Sequence, residues 1–296
     1  MGKQFLKLGI DHGTTNSCIC VMEAKPRVIK VNGVDDVMPS VVYINKKGVM
    51  NVGAAAYRAL FYNKPDEGDG HTGYKVRIGQ NDVYEFSAAK KSLTAQQLGS
   101  NVITALLDAY REESDSDDEI VGAVITVPAA FEHSACDGTR EAARGAGLKL
   151  FPLLQEPVAA AMAYGFEAQD QRAHWMVFDL GGGTLDVSLV YVREGKMVVP
   201  EEGHGGDNRL GGREFDREIM AYVVSELRKQ YALERFSEKS NPQAWGRLMI
   251  ACEHAKIRLS SKKETDVELD GVLCKDERGV DVKVEVPLDR QMYEKM

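Results

Sequence analysis

Residues 178–188 read FDLGGGTLDVS, and residues 9–18 read GIDHGTTNSC. Each stretch is a strand ending on an aspartate, a Gly/Thr turn and a second strand: residues 5–10 and 17–22 flank the first turn, 175–178 and 187–192 the second. Asp11 corresponds to Asp179, and Gly13-Thr14 to Gly183-Thr184. This is an internal duplication on the scale of whole lobes, not a solenoid, whose period would be ~20–50 residues. Three successive glycines are costly in a hairpin unless something must lie against them. Backbone N–H groups and threonine hydroxyls in so tight a turn converge on one concave spot suited to phosphate oxygens. Two such hairpins face to face could grip a polyphosphate, with Asp11 and Asp179 holding a magnesium ion through its waters. Neither Gly/Thr turn has the Rossmann GxGxxG spacing, and the GxxxxGK pattern closed by Ser or Thr is absent, so the commonest nucleotide-binding folds do not explain these glycines.

Outward from the hairpins the chain alternates as an α/β protein. A further strand falls at 27–31, and residues 33–86, rich in Gly, Asn and Asp with few periodic segments, read as an inserted subdomain. A helix over 94–110 places Leu98, Val102, Ala105, Leu106 and Ala109 on one face. The run EESDSDDE (112–119) reads as a solvated connector. Residues 120–127 form a near-continuous apolar strand of the kind buried in a parallel sheet. Helix, strand and Ala-rich helix follow at 133–146, 148–154 and 157–166; helices are expected at 214–231 and 242–259, and two strands over 265–287 around a KDERG turn.

Composition narrows the function. The 296 residues exceed one ordinary core, so two domains or a large bilobal fold are expected. A formal charge of −8 offers no broad attraction to nucleic acid or anionic lipid, so neither nucleic acid nor membrane is an expected partner. The longest run without charge or strong polarity, 120–131, falls short of the ~20 apolar residues a membrane helix needs, and the N-terminus carries no secretory pattern. Five cysteines, an odd number without zinc spacing, read as reduced thiols, and the expected compartment is the cytoplasm.

The chain resembles the actin-like ATPase domain of the seventy-kilodalton heat-shock (DnaK-type) chaperones, molecular chaperones of protein folding. The stretches that carry the resemblance are GIDHGTTNSC (9–18), AVITVPAAF (123–131), LQEPVAAAMAYG (154–165), FDLGGGTLDVS (178–188), GDNRLGGREFD (206–216) and ACEHAKIRLSS (251–261), in family order. Actin and the sugar kinases share the phosphate hairpins, whereas the last two stretches are specific to the chaperone branch. The resemblance implies an α/β, actin-like (ribonuclease H-like), duplicated bilobal ATPase fold whose second lobe is incomplete, since the family domain continues beyond the part matched here. Its expected layout is a first lobe over 1–174 with a small subdomain inserted at about 33–93, the start of the second lobe core over 175–213, and an α+β insertion of the second lobe over 214–296.

The resemblance further implies ATP or ADP with Mg2+, and K+, as cofactors. Gly13, Thr14, Thr15, Asn16, Gly181, Gly182, Gly183 and Thr184 would cradle phosphates, and Gly212 would approach the nucleotide. Glu253, Lys256 and Ser260, at i, i+3 and i+7 of one helix, would hold adenine and ribose. Lys75 sits at the family's catalytic lysine, where an ammonium offsets charge that develops on the transferring phosphoryl group. Glu156 would orient water near magnesium, Thr184 and Asp179 would act beside it, and Asp11, Asp179 and Asp186 would attend the metal. A J-domain cochaperone and a nucleotide-exchange factor are the implied partners. The expected activity is ATP hydrolysis; the alternatives are a non-catalytic nucleotide- or cochaperone-binding module and another actin- or sugar-kinase-like ATPase.

The chain also departs from the family. His12 replaces an apolar residue and reads as an exposed imidazole, passive or, beside the triphosphate, a source of pH-sensitive binding. Cys136 occupies the position of an arginine that, with the proline matching Pro128, relays nucleotide state. Ile257 replaces an adenine-stacking arginine, and Val158 replaces a threonine. In the second lobe only a three-strand meander is expected, near 175–179, 187–192 and 196–199, which leaves the first of these strands with a bare edge prone to self-association.

Overall fold

The computed structural model describes residues 7–62, 67–114, 120–165, 174–200, 202–207 and 209–296. Two compact units divide the chain: Met1–Tyr57 with Asp66–Arg209, and Arg58–Pro65 with Leu210–Met296.

The first unit opens with β1 (Leu8–His12), β2 (Asn16–Met22), β3 (Pro26–Val28) and β4 (Met38–Pro39). The segment 33–86, read as poor in periodic structure, in fact holds β5 (Val42–Asn45), β6 (Met50–Val52), α1 (Ala54–Tyr62), β7 (Gly68–His71) and β8 (Val83–Phe86), and β9 (Lys91–Thr94) follows it. Its strands are too short for period-2 alternation to register, and they pair locally as β6-β5-β7 and β8-β9. Then come α2 (Ala95–Ser114), β10 (Ala123–Val127), α3 (His133–Gly145), β11 (Leu153–Gln155) and α4 (Glu156–Ala163). Of the expected connector, residues 115–119 lie outside the described residues.

The main sheet runs β11-β10-β1-β2-β3, with β4 also on β2. The meander β1-β2-β3 is antiparallel, and β10 lies parallel beside β1, with Ile10 opposite Ile125. Alternation along β1 sends Leu8, Ile10 and His12 to the buried face and Asp11 to the open one. The buried face meets α2 through Leu98, Val102, Ile103, Leu106 and Leu107, all but inaccessible to solvent. Burial of apolar area at ~25 cal/mol per Å² makes this the main stabilising contact of the sheet.

A second sheet in the same unit holds β12 (His174–Leu180), β13 (Leu185–Arg193), β14 (Lys196–Val198) and β15 (His204–Asp207). The meander β12-β13-β14 is the one expected, and β15 adds to β13 beyond it. The strand β15 reads HGGD, without an apolar position to signal it. It forms because the glycines let two backbones meet: a Cβ on Gly206 would lie 2.0 Å from Leu185 O. One face of the sheet packs against α4, with Val158, Ala161, Val190 and Val192 at the centre and Trp175 and Val177 beside them. The opposite face of β12 is open, with Met176 74% and Phe178 64% exposed.

The second unit is α+β. It contains α5 (Gly212–Arg228), α6 (Pro242–Leu259), β16 (Glu264–Glu268), β17 (Cys274–Lys275), β18 (Asp281–Val282), β19 (Glu285–Asp289) and α7 (Arg290–Tyr293). The ribbon expected over 265–287 is two short ladders, β16-β19 and β17-β18. At its tip the buried carboxylate of Asp276 accepts from the backbone N–H groups of Ala232, Arg278 and Val280. These bonds and the Arg278 guanidinium hold its pKa well below the usual carboxylate range, against the effect of desolvation.

Candidate functional site

The first Gly/Thr turn is held by a hydroxyl frame. Gly13 N–H donates to Ser17 Oγ at 3.1 Å, Ser17 Oγ meets Ser40 Oγ at 2.8 Å, and Ser40 Oγ donates to Gly13 O at 2.8 Å. The Ser40 N–H donates to Thr15 O at 2.8 Å, so the loop is fixed from both sides. Gly13 is required by approach: a Cβ there would lie 2.0 Å from Asn16 O. Ser17 and Ser40 were not singled out from the sequence; the only signal was a hydroxyl at an otherwise apolar inward position of β2. Thr126 was missed likewise. Its hydroxyl, in the apolar run of β10, donates to Asp11 Oδ1 at 2.6 Å and sets that carboxylate's direction.

The second turn closes with Gly181 N–H donating to Thr184 O at 2.8 Å, which places Asp179 directly opposite Asp186 across β12-β13. The two turns abut. A Cβ on Gly182 would lie 1.8 Å from Thr15 Oγ1, and one on Gly183 would lie 3.9 Å from Thr14 Cγ2. Only glycine permits the first approach. The Thr15 hydroxyl is buried against Gly182 and has no hydrogen-bond partner. An unpaired buried hydroxyl costs roughly 1–3 kcal/mol, so the close fit of the two turns is kept at the expense of stability.

Lys75 stands on a 3₁₀ turn, Tyr74–Arg77, entered through Gly73 at φ 66°. Its ammonium donates to Glu156 Oε1 at 2.8 Å and lies 5.6 Å from the centroid of the Phe131 ring. It is not a surface lysine: its side chain is 5% exposed and that of Glu156 18%. Two glycines seat the turn. Gly79, at φ 82°, would drive a Cβ to 2.3 Å from Ser134 O, and a Cβ on Gly138 of α3 would lie 2.6 Å from Gly79 N. Glu156 opens α4, where the positive end of the helix dipole favours a carboxylate.

Electrostatics tie these groups together. Burial raises the pKa of Glu156; the charge and hydrogen bond of Lys75 oppose this, while Asp11 and Asp179 add to it. Partial desolvation raises that of Asp179, with Asp186 and Asp11 reinforcing the rise and Lys75 opposing it. Four carboxylates and one ammonium thus share one field. Among the described residues no group of three or more His, Cys, Asp or Glu side chains is disposed to chelate a metal directly.

His12 departs from the expectation. The alternation of β1 turns it away from the Asp11 face and buries it fully, 3.2 Å from Tyr74 Oη. Burial first, and the charge of Lys75 second, lower its pKa to about 3, so it is neutral at physiological pH and confers no pH sensitivity there. Cys136, half-buried in α3, makes a 3.9 Å contact from its thiol to Phe131 O. All five cysteines are free, and burial pushes those of Cys18 and Cys252 up, the first to about 11.

The remaining expected residues lie in the second unit. There Lys256 Nζ donates to Gly212 O at 2.7 Å and sits 2.7 Å from the buried Asp216 Oδ1. Burial, opposed by Lys256 and reinforced by Glu253, pushes Asp216 up to about 6. Gly212, Glu253 and Lys256 are therefore brought together, while Ser260 caps α6 on its exposed end.

The family model described as "Hsp70 protein" matches residues 7–68 and 65–296. The chain is similar to "Chaperone protein DnaK" of Mycoplasmoides gallisepticum, 36% identical over 299 residues that cover 98% of this chain and 47% of the relative. It thus spans about half the length of that protein. With both hairpins, the meander that opens each sheet and a match across nearly the whole sequence, the chain belongs to the Hsp70 (DnaK-type) chaperone family and has the actin-like α/β fold of its nucleotide-binding domain.

Proposed function

We propose that this chain binds Mg-ATP and Mg-ADP through the paired turns of β1-β2 and β12-β13 and hydrolyses ATP as the nucleotide-binding domain of an Hsp70-type chaperone. The observation that carries this reading is the Thr15 hydroxyl, buried without a partner against Gly182. Thr14, Asn16, Gly183 and Thr184 supply the remaining donors for phosphate oxygens, while the N–H groups of Gly13 and Gly181 hold the turns in shape and these glycines leave room for the phosphates. Asp11, Asp179 and Asp186 would hold Mg2+, and hard carboxylate oxygens without a direct chelating cluster fit an ion that keeps most of its waters. Bound there, Mg2+ would neutralise charge on the phosphates. Lys75 offsets charge that develops on the transferring group, and Glu156, whose pKa is raised, orients the attacking water. Gly212, Glu253, Lys256 and Ser260 are assigned the adenosine by resemblance, and K+ is a second cation implied in the same way.

A J-domain cochaperone and a nucleotide-exchange factor are the partners the family suggests. Five unpaired thiols favour a reducing compartment such as the cytoplasm; no helix among the described residues is long and apolar enough to cross a membrane. The open face and edge of β12 support self-association. Single-turnover hydrolysis of ATP, with and without Mg2+, tests the activity: metal-dependent turnover supports it, and ADP binding without turnover would leave a non-catalytic binding module.

A further inference from the structure

Two polar side chains stand in the main core where apolar ones would pack as well. His12, fully buried at the end of β1, and Tyr74, 1% exposed, meet Nε2 to Oη at 3.2 Å with ring centroids 6.0 Å apart. The imidazole Nδ1 has no partner, so the pair carries an unpaid desolvation cost. Room for it comes from Gly99 inside α2, where a Cβ would lie 3.0 Å from His12 Cε1, and glycine inside a helix is itself unfavourable. What the bond joins explains its presence. His12 is bonded in sequence to Gly13, the start of the loop with Thr14 and Thr15, and Tyr74 is bonded to Lys75. From loop to lysine the path crosses one covalent step at each end and one hydrogen bond between.

We propose that the His12–Tyr74 hydrogen bond is a positioning device that holds the first phosphate loop and the Lys75 ammonium at one fixed spacing. His12 and Tyr74 are positioning residues, not catalytic ones, since neither belongs to the Asp11 face. The Lys75 turn also packs on α2 through the core, is seated on α3 through Gly79 and Gly138 and is bonded to Glu156, and to these contacts the His12–Tyr74 bond adds a direct link to the residue that precedes the loop. A shift of the ammonium of a fraction of an ångström weakens transition-state stabilisation far more than ground-state binding.

The inference rests on the proposed ATPase for its kinetic consequence, so its test also reads Lys75 directly. In nucleotide-free protein, acylation of Lys75 by an N-hydroxysuccinimide acetate, followed by mass spectrometry, should speed up about 3- to 10-fold in Tyr74→Phe, the range expected for one lost hydrogen bond. The single-turnover rate of ATP hydrolysis should fall by a similar factor, while Mg-ADP affinity stays within about twofold, a split that loss of packing alone does not produce. The double variant His12→Leu with Tyr74→Phe, an apolar pair, should recover the melting temperature yet keep fast acylation and slow hydrolysis. Wild-type acylation in Tyr74→Phe, or recovery of acylation in the double variant together with the melting temperature, would overturn the proposal. Wild-type protein that neither binds nor turns over nucleotide would end the ATPase reading, and the acylation rates would still decide this one.

Discussion

Glu156 accepts a 2.8 Å hydrogen bond from Lys75 although 81 residues separate them, and both side chains are largely withdrawn from solvent. An ion pair this dry is an expensive arrangement for stability alone, because desolvation can outweigh the Coulombic gain. Its place beside Asp11 and Asp179 sets a fixed positive charge among carboxylates, the arrangement the proposed hydrolysis uses. Lys75→Ala should therefore lower the single-turnover hydrolysis rate by roughly 10²- to 10³-fold while Mg-ADP affinity changes by less than about threefold. Equal losses in rate and affinity would make Lys75 a binding group only.

The seat of that lysine makes a separate prediction about α3. Alanine raises helix propensity by up to ~1 kcal/mol over glycine, yet a Cβ on Gly138 would press to 2.6 Å on the Gly79 backbone nitrogen, which cannot swing aside. Gly138→Ala should thus destabilise by about 1–3 kcal/mol in urea unfolding, the range for overpacking, and slow hydrolysis as well. A stabilised variant with unchanged turnover would show that the turn does not depend on this contact.

Acid titration probes the second unit. Asp216 has a folded pKa of about 6, above its ordinary 3.8, because burial outweighs Lys256. Folding then favours the protonated form, so this contribution is whole below pH ~4 and is lost as pH rises through about 6. Asp216→Asn stays neutral at every pH. The stability of the wild type minus that of the variant, from urea unfolding, should drop by on the order of 2–3 kcal/mol between pH 4 and 7. A difference that grows with pH would mean that the Lys256 pair dominates.

On the second sheet, β12 pairs with β13 alone among the described residues, and Met176, Phe178 and Leu180 stand open on one face. Light scattering of the wild type should report a mass above one chain, and Phe178→Lys should return it to monomer by placing a charge on that face. A monomeric wild type whose Val177 amide exchanges as slowly as that of Val124 would show that the edge does not self-pair.

Much of this was legible in the sequence wherever side-chain type alone sets the structure. The strands of the main sheet follow from apolar runs broken by Gly/Thr turns, and α6 spans the expected 242–259. What escaped depends on approach between distant backbones. Gly206 creates β15 without an apolar residue, and Gly138 seats Gly79, but each reads in sequence as any other glycine. Ser17, Ser40 and Thr126 escaped because a hydroxyl at a strand position does not reveal which loop or carboxylate it will meet. His12 was misplaced for a different reason. Its place after Asp11 suggested the phosphate side, whereas strand alternation sends the two to opposite faces.

The central claim is that the facing turns form a phosphate site, and calorimetric titration with Mg-ADP tests it most directly. Thr15→Val loses a hydroxyl that has no partner in the protein, so its melting temperature should equal or exceed that of the wild type, while Mg-ADP binding weakens about 3- to 10-fold. Thr14→Val with Thr184→Val should weaken it further. Absence of binding heat in the wild type, or heat unchanged by these substitutions, would contradict the account.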